Sequence, residues 1–172
     1  MQDTIILDQK NLKAEIFSAP VVAAELRRMW NEKRSSIRAI AMDIHERNPR
    51  NLVFFGSGGS SSALYSGYWA GLHLLKLPCH YLLAPDIVTV KPGILDERSV
   101  AIGASYSGKT VDTLQAKEVV LASNAPLFSI TRRADAELAK GATWSITYES
   151  IALYSSPAYL TMLLVVELAR LR

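Results

Sequence analysis

The feature that most constrains the fold of this chain is an alternation of short apolar runs with longer helical stretches. Five such runs follow one another from residue 51 onwards. Most of them are apolar at nearly every position, as expected of parallel strands that are covered on both faces. The strand candidates are Asn51–Phe55, Cys79–Ala84, Ser99–Ala104, Pro126–Thr131 and Thr143–Tyr148. The last run alternates between apolar and polar residues, which favours a place at the edge of the sheet.

Helical segments separate these strand candidates. Their apolar spacing predicts helices over Ser61–Leu77, Thr110–Ser123, Ala134–Lys140 and Pro157–Leu171. The connection Pro85–Arg98 contains two prolines and a glycine, which argues against a long helix there. The order of elements predicts an α/β fold, a three-layer αβα sandwich around a five-stranded parallel doubly wound sheet of strand order 2-1-3-4-5.

Length and patterning predict one domain with an N-terminal extension. Residues 1–48 form an arm followed by an amphipathic helix that opens at Pro20, and residues 49–172 form the domain itself. We expect this helix to pack against something other than the sheet. In the last helix, Ser156 is the predicted N-cap and Pro157 the first helical residue. That helix is apolar around most of its circumference, so we expect a homodimer or a second domain to cover it.

Composition narrows the possible partners. The formal net charge is +3 and the basic residues are scattered, so no nucleic-acid partner is expected. The only cysteine is Cys79, and the N-terminus lacks the pattern of a secretory signal, which fits a cytoplasmic protein. The most apolar stretch, Tyr159–Val166, is far shorter than a membrane span. No metal-ligand spacing is present in the sequence, so neither a metal nor another cofactor is expected.

Two serine-rich turns carry the chemistry that the sequence suggests. Gly56–Ser62 follows the first strand candidate and Ser105–Thr110 follows the third, and each leads into a helix. Backbone N–H groups, hydroxyls and the positive end of a helix dipole stabilise anions at such positions. In the predicted strand order, the two turns would flank the crevice where open α/β sheets bind ligands. Each turn alone could equally be a strand-to-helix junction in which a serine only caps the helix.

Two nucleotide-binding motifs overlap these turns in the sequence. The run Gly56–Ser61 resembles a dinucleotide fingerprint, but serine occupies the third glycine position and the expected acidic residue is absent. The run Gly103–Thr110 matches the Walker A pattern, yet Gly103 falls inside a strand candidate. No later apolar strand ends in the aspartate that would help hold Mg²⁺. Phosphate binding is therefore predicted without nucleotide hydrolysis.

At these residues the chain resembles the sugar isomerase (SIS) family, which has a flavodoxin-like fold. The family's signatures are a Gly-Ser-Gly turn after the first strand and a Ser-x-Ser-Gly-x-Thr turn after the third, both present here. The stretch Tyr148–Ser156 is similar to a segment of the amino-sugar phosphate isomerases and deaminases. Relatives in that subgroup generally carry two such domains, and part of their catalytic machinery lies in or beside the second.

The resemblance implies a set of binding residues. Hydrogen bonds to the phosphate are implied for Ser60, Ser105, Ser107 and Thr110, and close approach of the ligand for Gly58, Gly59 and Gly108. Ser57 and Tyr106 are predicted to belong to the same site, although glutamine is frequent in the family at the position of Tyr106. Isomerisation also needs a base and an acid, and Glu149 is the catalytic candidate because it follows the fifth strand at the same edge. Glu149 could instead anchor its loop or belong to a partner's site.

Three functions remain open on the sequence alone. The first is a phosphosugar isomerase or an amino-sugar phosphate deaminase. The second is a non-catalytic sensor that binds a phosphosugar, and the third is an assembly module that pairs through its last helix.

Overall fold

The computed structural model describes residues 19–90, 93–148 and 154–172. Its strands form one parallel sheet of five, in the order β2-β1-β3-β4-β5. The strands are β1 (Asn51–Gly56), β2 (Cys79–Leu83), β3 (Ser99–Ser105), β4 (Leu127–Thr131) and β5 (Trp144–Thr147). The helices are α1 (Ala19–Glu46), α2 (Gly58–Leu74), α3 (Ala84–Val90), α4 (Val111–Ala122) and α5 (Ser155–Ala169). The predicted fold class and strand order are confirmed.

Burial along the strands follows their place in the sheet. Every residue of the central strands β1 and β3 is buried, which explains why their sequences are apolar without alternation. In β5, Trp144 and Ile146 are buried while Ser145 is exposed. The prediction of an edge position for this alternating run is therefore confirmed.

Two hydrophobic cores lie on opposite faces of the sheet. On one face, α1, α2 and α5 pack over side chains that include Phe54 and Ile102. On the other, α3 and α4 cover side chains that include Phe55 and Leu127. The helices that leave β1 and β3 therefore lie on opposite faces, as the doubly wound prediction requires. No helix in the described ranges is long and apolar enough to cross a membrane.

The last helix, α5, is covered within the chain. It packs between α1 and α2, and nine of its residues are buried. Its buried Glu167 accepts hydrogen bonds from Arg34 of α1 at 3.2 Å and from Arg170 at 2.7 Å. Neighbouring helices of the same chain therefore supply much of the cover that we expected from a dimer or another domain, and pairing with either stays a prediction.

The predicted cap of α5 is wrong. Ser156 is the second residue of the helix, and its buried hydroxyl has no hydrogen-bond partner among the described residues. The N-cap position is occupied by Tyr154, which makes no side-chain capping bond.

The predicted helix over Ala134–Lys140 is absent, and turns occupy the segment instead. Its backbone bonds span three residues, as from Ala139 N to Ala136 O at 2.9 Å. So short an apolar stretch seldom holds an α-helix alone, and here two tertiary bonds fix its path. Leu138 N donates to Gly108 O at 3.2 Å, and Lys117 Nζ donates to Glu137 O at 3.0 Å.

Candidate functional site

The first serine turn is tighter than predicted. β1 ends at Gly56 and α2 already begins at Gly58, so Ser60 lies in the first turn of the helix. Gly58 has a φ of 53°, a left-handed conformation that glycine adopts at little cost. Ser57 occupies the N-cap position with extended backbone, yet its side chain makes no capping bond.

In the second turn, serine hydroxyls accept hydrogen bonds from backbone amides of the same turn. Ser105 Oγ accepts a hydrogen bond from Gly108 N at 3.1 Å and lies 3.1 Å from Thr110 Oγ1. Ser107 Oγ accepts from Lys109 N, also at 3.1 Å. The φ of 65° at Gly108 lets the chain turn back into α4.

The two turns are in direct contact. Tyr106 N donates a hydrogen bond to Ser60 Oγ at 3.3 Å. Ser57 Oγ lies 3.1 Å from Thr113 Oγ1 in the first turn of α4. This contact follows from the sheet, because β1 and β3 are parallel neighbours and end side by side.

Simple helix capping does not account for these residues. Thr110 at the N-cap of α4 resembles Ser57 in that its side chain makes no capping bond. The Ser57 hydroxyl instead pairs with Thr113 in the first turn of α4, and the Thr110 hydroxyl pairs with Ser105 in its own turn. Amides and hydroxyls from two adjacent helix N-termini are a suitable environment for an anion.

The segment that follows β4 supports the second turn by direct contact. The ideal Cβ position on Gly108 is 2.3 Å from Ala136 Cβ, so the segment after β4 packs directly against this glycine. This contact and the hydrogen bond from Leu138 N hold the second turn against Ala134–Lys140, the segment for which the sequence predicts a helix.

Two residues that the sequence did not indicate, Tyr154 and Arg132, contact the two turns. A Cβ on Gly59 would lie 2.0 Å from the ring of Tyr154, which places the start of α5 against the first turn. On the other side, the guanidinium of Arg132 lies 5.3 Å from the ring centroid of Tyr106. Both contacts join residues far apart in the chain, which a single sequence does not reveal.

The ring of Tyr148 lies beside the ring of Tyr106 in the second turn. Their ring centroids are 6.5 Å apart, and Tyr148 is almost completely buried. The pKa of Tyr148 is raised to about 12, chiefly by burial and also by the nearby Tyr106, while the charge of Arg132 acts in the opposite direction. Tyr148 is therefore a neutral phenol at neutral pH.

The catalytic candidate Glu149 lies outside the described residues. Tyr148 N donates to Thr131 O at 3.1 Å, so the described chain before Glu149 ends at the same edge as the two turns. His45 and His73 lie in the last turns of α1 and α2, and His80 lies near the start of β2, all away from this edge. Among the described residues, no group of three His, Cys, Asp or Glu side chains could hold a metal.

The position of Gly103 decides the Walker A question. This glycine is inside β3, where a Cβ would lie 2.6 Å from the ring of Phe55. Close packing against Phe55 in the second core therefore explains why this position is glycine. Gly103 takes no part in a phosphate-binding loop.

Comparison with known proteins identifies the family. The SIS domain model matches residues 47–169, more than half of the chain, and the protein belongs to this family. A curated relative, the fructoselysine 6-phosphate deglycase of Escherichia coli K12, is 24% identical over 132 residues. That match covers 77% of this chain and 39% of the relative, so the chain spans about two fifths of the relative's length.

Solved structures support the fold. A Salmonella typhimurium LT2 protein assigned as a phosphosugar isomerase has a TM-score of 0.71 at 24% identity, covering 80% of this chain and 43% of that one. The glucosamine-6-phosphate deaminase of Thermotoga maritima has a TM-score of 0.65 at 21% identity, with coverage of 86% and 48%.

Proposed function

We propose that this chain binds the phosphate of a phosphorylated sugar or amino sugar between its two serine turns. The binding set is the one that the sequence suggested, Ser57, Gly58, Gly59, Ser60, Ser105, Tyr106, Ser107, Gly108 and Thr110. Membership of the SIS family and the names of its relatives support the choice of a phosphosugar.

The observation that carries the proposal is the hydrogen bond between the turns. Tyr106 N reaches Ser60 Oγ at 3.3 Å, so a hydroxyl of the first turn and a backbone amide of the second lie within reach of one small group. The hydroxyl of the exposed Ser107 accepts a hydrogen bond from the amide of Lys109 within its own turn and has no other partner in the described part of the chain. A phosphate could replace these hydroxyls as the acceptor for the turn amides and accept hydrogen bonds from the hydroxyls as well.

Ligand-induced thermal stabilisation tests the proposal. Glucosamine 6-phosphate and fructose 6-phosphate are compared with glucosamine and fructose. A ligand present at about 100 times its Kd stabilises the folded state by about 2.7 kcal/mol. We expect stabilisation by the phosphorylated compounds alone, and equal effects of both sets would contradict a phosphate site.

Serine variants locate the site. Ser107→Ala removes an exposed hydroxyl of the second turn, and a lost bond to a charged group costs about 1.5–3 kcal/mol, or roughly tenfold or more in Kd. Ser62→Ala is the matched control, since Ser62 is exposed in the same region and, among the described residues, its hydroxyl bonds to Gly58 O alone, at 3.5 Å. Equal weakening by both substitutions would place the phosphate elsewhere.

We further propose that the chain takes part in isomerisation or deamination, with Glu149 as the base that removes the proton next to the substrate carbonyl. Its position directly after Tyr148 supports this role. Wild-type protein should convert one of the two sugar phosphates, and Glu149→Gln should abolish turnover while the Kd stays within a few fold.

A sensor is the second candidate. It is favoured by the placement of His45, His73 and His80, because none of the histidines in the described ranges lies at the carboxyl edge. Binding without conversion of any tested sugar phosphate, also when a second SIS domain is added, would support the sensor and contradict the enzyme.

Pairing with a second copy or a second SIS domain also remains a proposal, as does a cytoplasmic location. The curated relative is more than twice as long as the matched region, which supports a second domain as the partner. Sedimentation velocity of the isolated chain at micromolar concentration distinguishes a monomer from a homodimer.

A further inference from the structure

Beside the two serine turns lies a cation, Arg132, that has no carboxylate partner among the described residues. Arg132 is exposed and follows β4, and no carboxylate in the described ranges is within ion-pair distance of its guanidinium. Its neighbour Arg133 differs, because that side chain makes two bonds to Asp135 at 2.9 and 3.0 Å. Two adjacent arginines therefore have different surroundings.

The sheet register explains where Arg132 lies. Ser105 and Thr131 are paired at the ends of the neighbouring strands β3 and β4, so Tyr106 and Arg132 leave the sheet side by side. Tyr106 belongs to the second turn and bonds through its amide to Ser60 of the first. The position of Arg132 next to the turns is thus set by the backbone of two buried strands.

The ring of Tyr106 holds the guanidinium in place. The distance of 5.3 Å from the guanidinium carbon to the ring centroid is within the range of a cation–π contact. The ring itself is half-buried and packs against the first core and Tyr148. Such stacking restricts the long side chain but leaves the N–H groups at the guanidinium edge free to bind a planar acid.

We propose that Arg132 forms a subsite for a second acidic group of the substrate, a carboxylate on the part of the molecule remote from the phosphate. This inference rests on the proposed function, since the phosphate turns fix one end of the ligand. The favoured substrates are then sugar phosphates that also carry a carboxylate, such as aldonic acid phosphates or adducts with amino acids.

Matched ligand pairs test the subsite by calorimetric titration. The first pair is 6-phosphogluconate and glucitol 6-phosphate, which differ in a terminal carboxylate. The second pair places the carboxylate farther away: the Amadori adducts of glucose 6-phosphate with 6-aminohexanoate and with hexylamine. Wild-type protein should bind the acid of at least one pair up to about fivefold more tightly, as expected for an exposed ion pair. High salt should reduce the preference.

Arg132→Gln should remove this preference and leave the affinity for the member without the carboxylate unchanged. Arg133→Gln, the control, removes the same charge one residue away and should keep the preference. A wild-type protein that binds both members of both pairs equally would overturn the subsite and leave the phosphate site intact. Equal weakening of all four ligands by Arg132→Gln would mean that Arg132 contacts the phosphate, which also overturns the subsite. No binding of any ligand would contradict the proposed function and the subsite with it.

Discussion

The conformation of Gly108 offers a quantitative test of how the second turn is built. Gly108→Ala places a methyl group on a residue with φ of 65°, which costs about 1–2 kcal/mol for an ordinary L-residue. That methyl would also lie 2.3 Å from Ala136 Cβ, far inside the usual carbon contact distance. Overpacking of this kind costs about 1–3 kcal/mol. The two effects together predict a loss of about 2–5 kcal/mol in the free energy of unfolding.

Two further glycines separate these contributions. Gly58→Ala meets no atom within 4 Å but has φ of 53°, so it should lose only the conformational part, about 1–2 kcal/mol. Gly93→Ala meets no atom within 4 Å either, and Gly93 has no positive φ, so this variant should match or slightly exceed the wild type. Urea unfolding followed by circular dichroism measures all three variants.

A double variant tests the contact itself. Ala136→Gly removes the methyl group that the new side chain would meet, so it should restore part of the stability lost in Gly108→Ala. Equal stability of the Gly108→Ala and Gly58→Ala variants would refute the argument, because the contact with Ala136 would then contribute nothing. The support of the turn by the segment after β4 would then rest on the hydrogen bond from Leu138 N to Gly108 O alone.

The remaining predictions concern buried groups away from the turns. Glu167→Ala removes a side chain that is 3% exposed and bonded to Arg34 and Arg170, so urea unfolding should show a loss of about 1–3 kcal/mol. The exposed control Glu32→Ala should lose less than about 1 kcal/mol in the free energy of unfolding. Equal losses in the two variants would contradict a special role for the buried carboxylate of Glu167. Burial raises the pKa of Cys79 to about 11. Because the thiolate is the reactive form, Cys79 should react with Ellman's reagent at pH 8 far more slowly in the folded than in the urea-unfolded chain, and similar rates would contradict its burial.

The fold could be predicted because each level of the sequence agrees with it. Continuous apolar runs occur where strands are covered on both faces, and alternation occurs at the edge strand β5. Glycine and serine follow β1 and β3, whose helices leave toward opposite faces. Such local signals suffice to order the strands of a doubly wound sheet.

The differences between expectation and structure share a cause, which is dependence on distant parts of the chain. The segment Ala134–Lys140 has helical spacing, but bonds from Lys117 and to Gly108 hold it as turns. The apolar circumference of α5 predicted an external partner, whereas α1 supplies much of the cover. The local pattern of apolar residues indicates that a helix face must be covered, but it does not identify the element that covers it.

The same limit applies to the candidate site. The turn residues could be predicted, because glycine and serine at a strand end have a local physical meaning. Arg132 and Tyr154 could not, since each reaches the turns through tertiary contact.

A nitrogen-15 NMR titration with glucosamine 6-phosphate tests the central claim most directly. The account predicts that the amides of Ser60, in the first turn, and of Gly108 and Lys109, in the second, shift together along one binding curve with a single Kd, while unphosphorylated glucosamine shifts neither set. Shifts confined to one turn, or two sets of amides titrating with different Kd values, would contradict the claim that both turns bind the same phosphate.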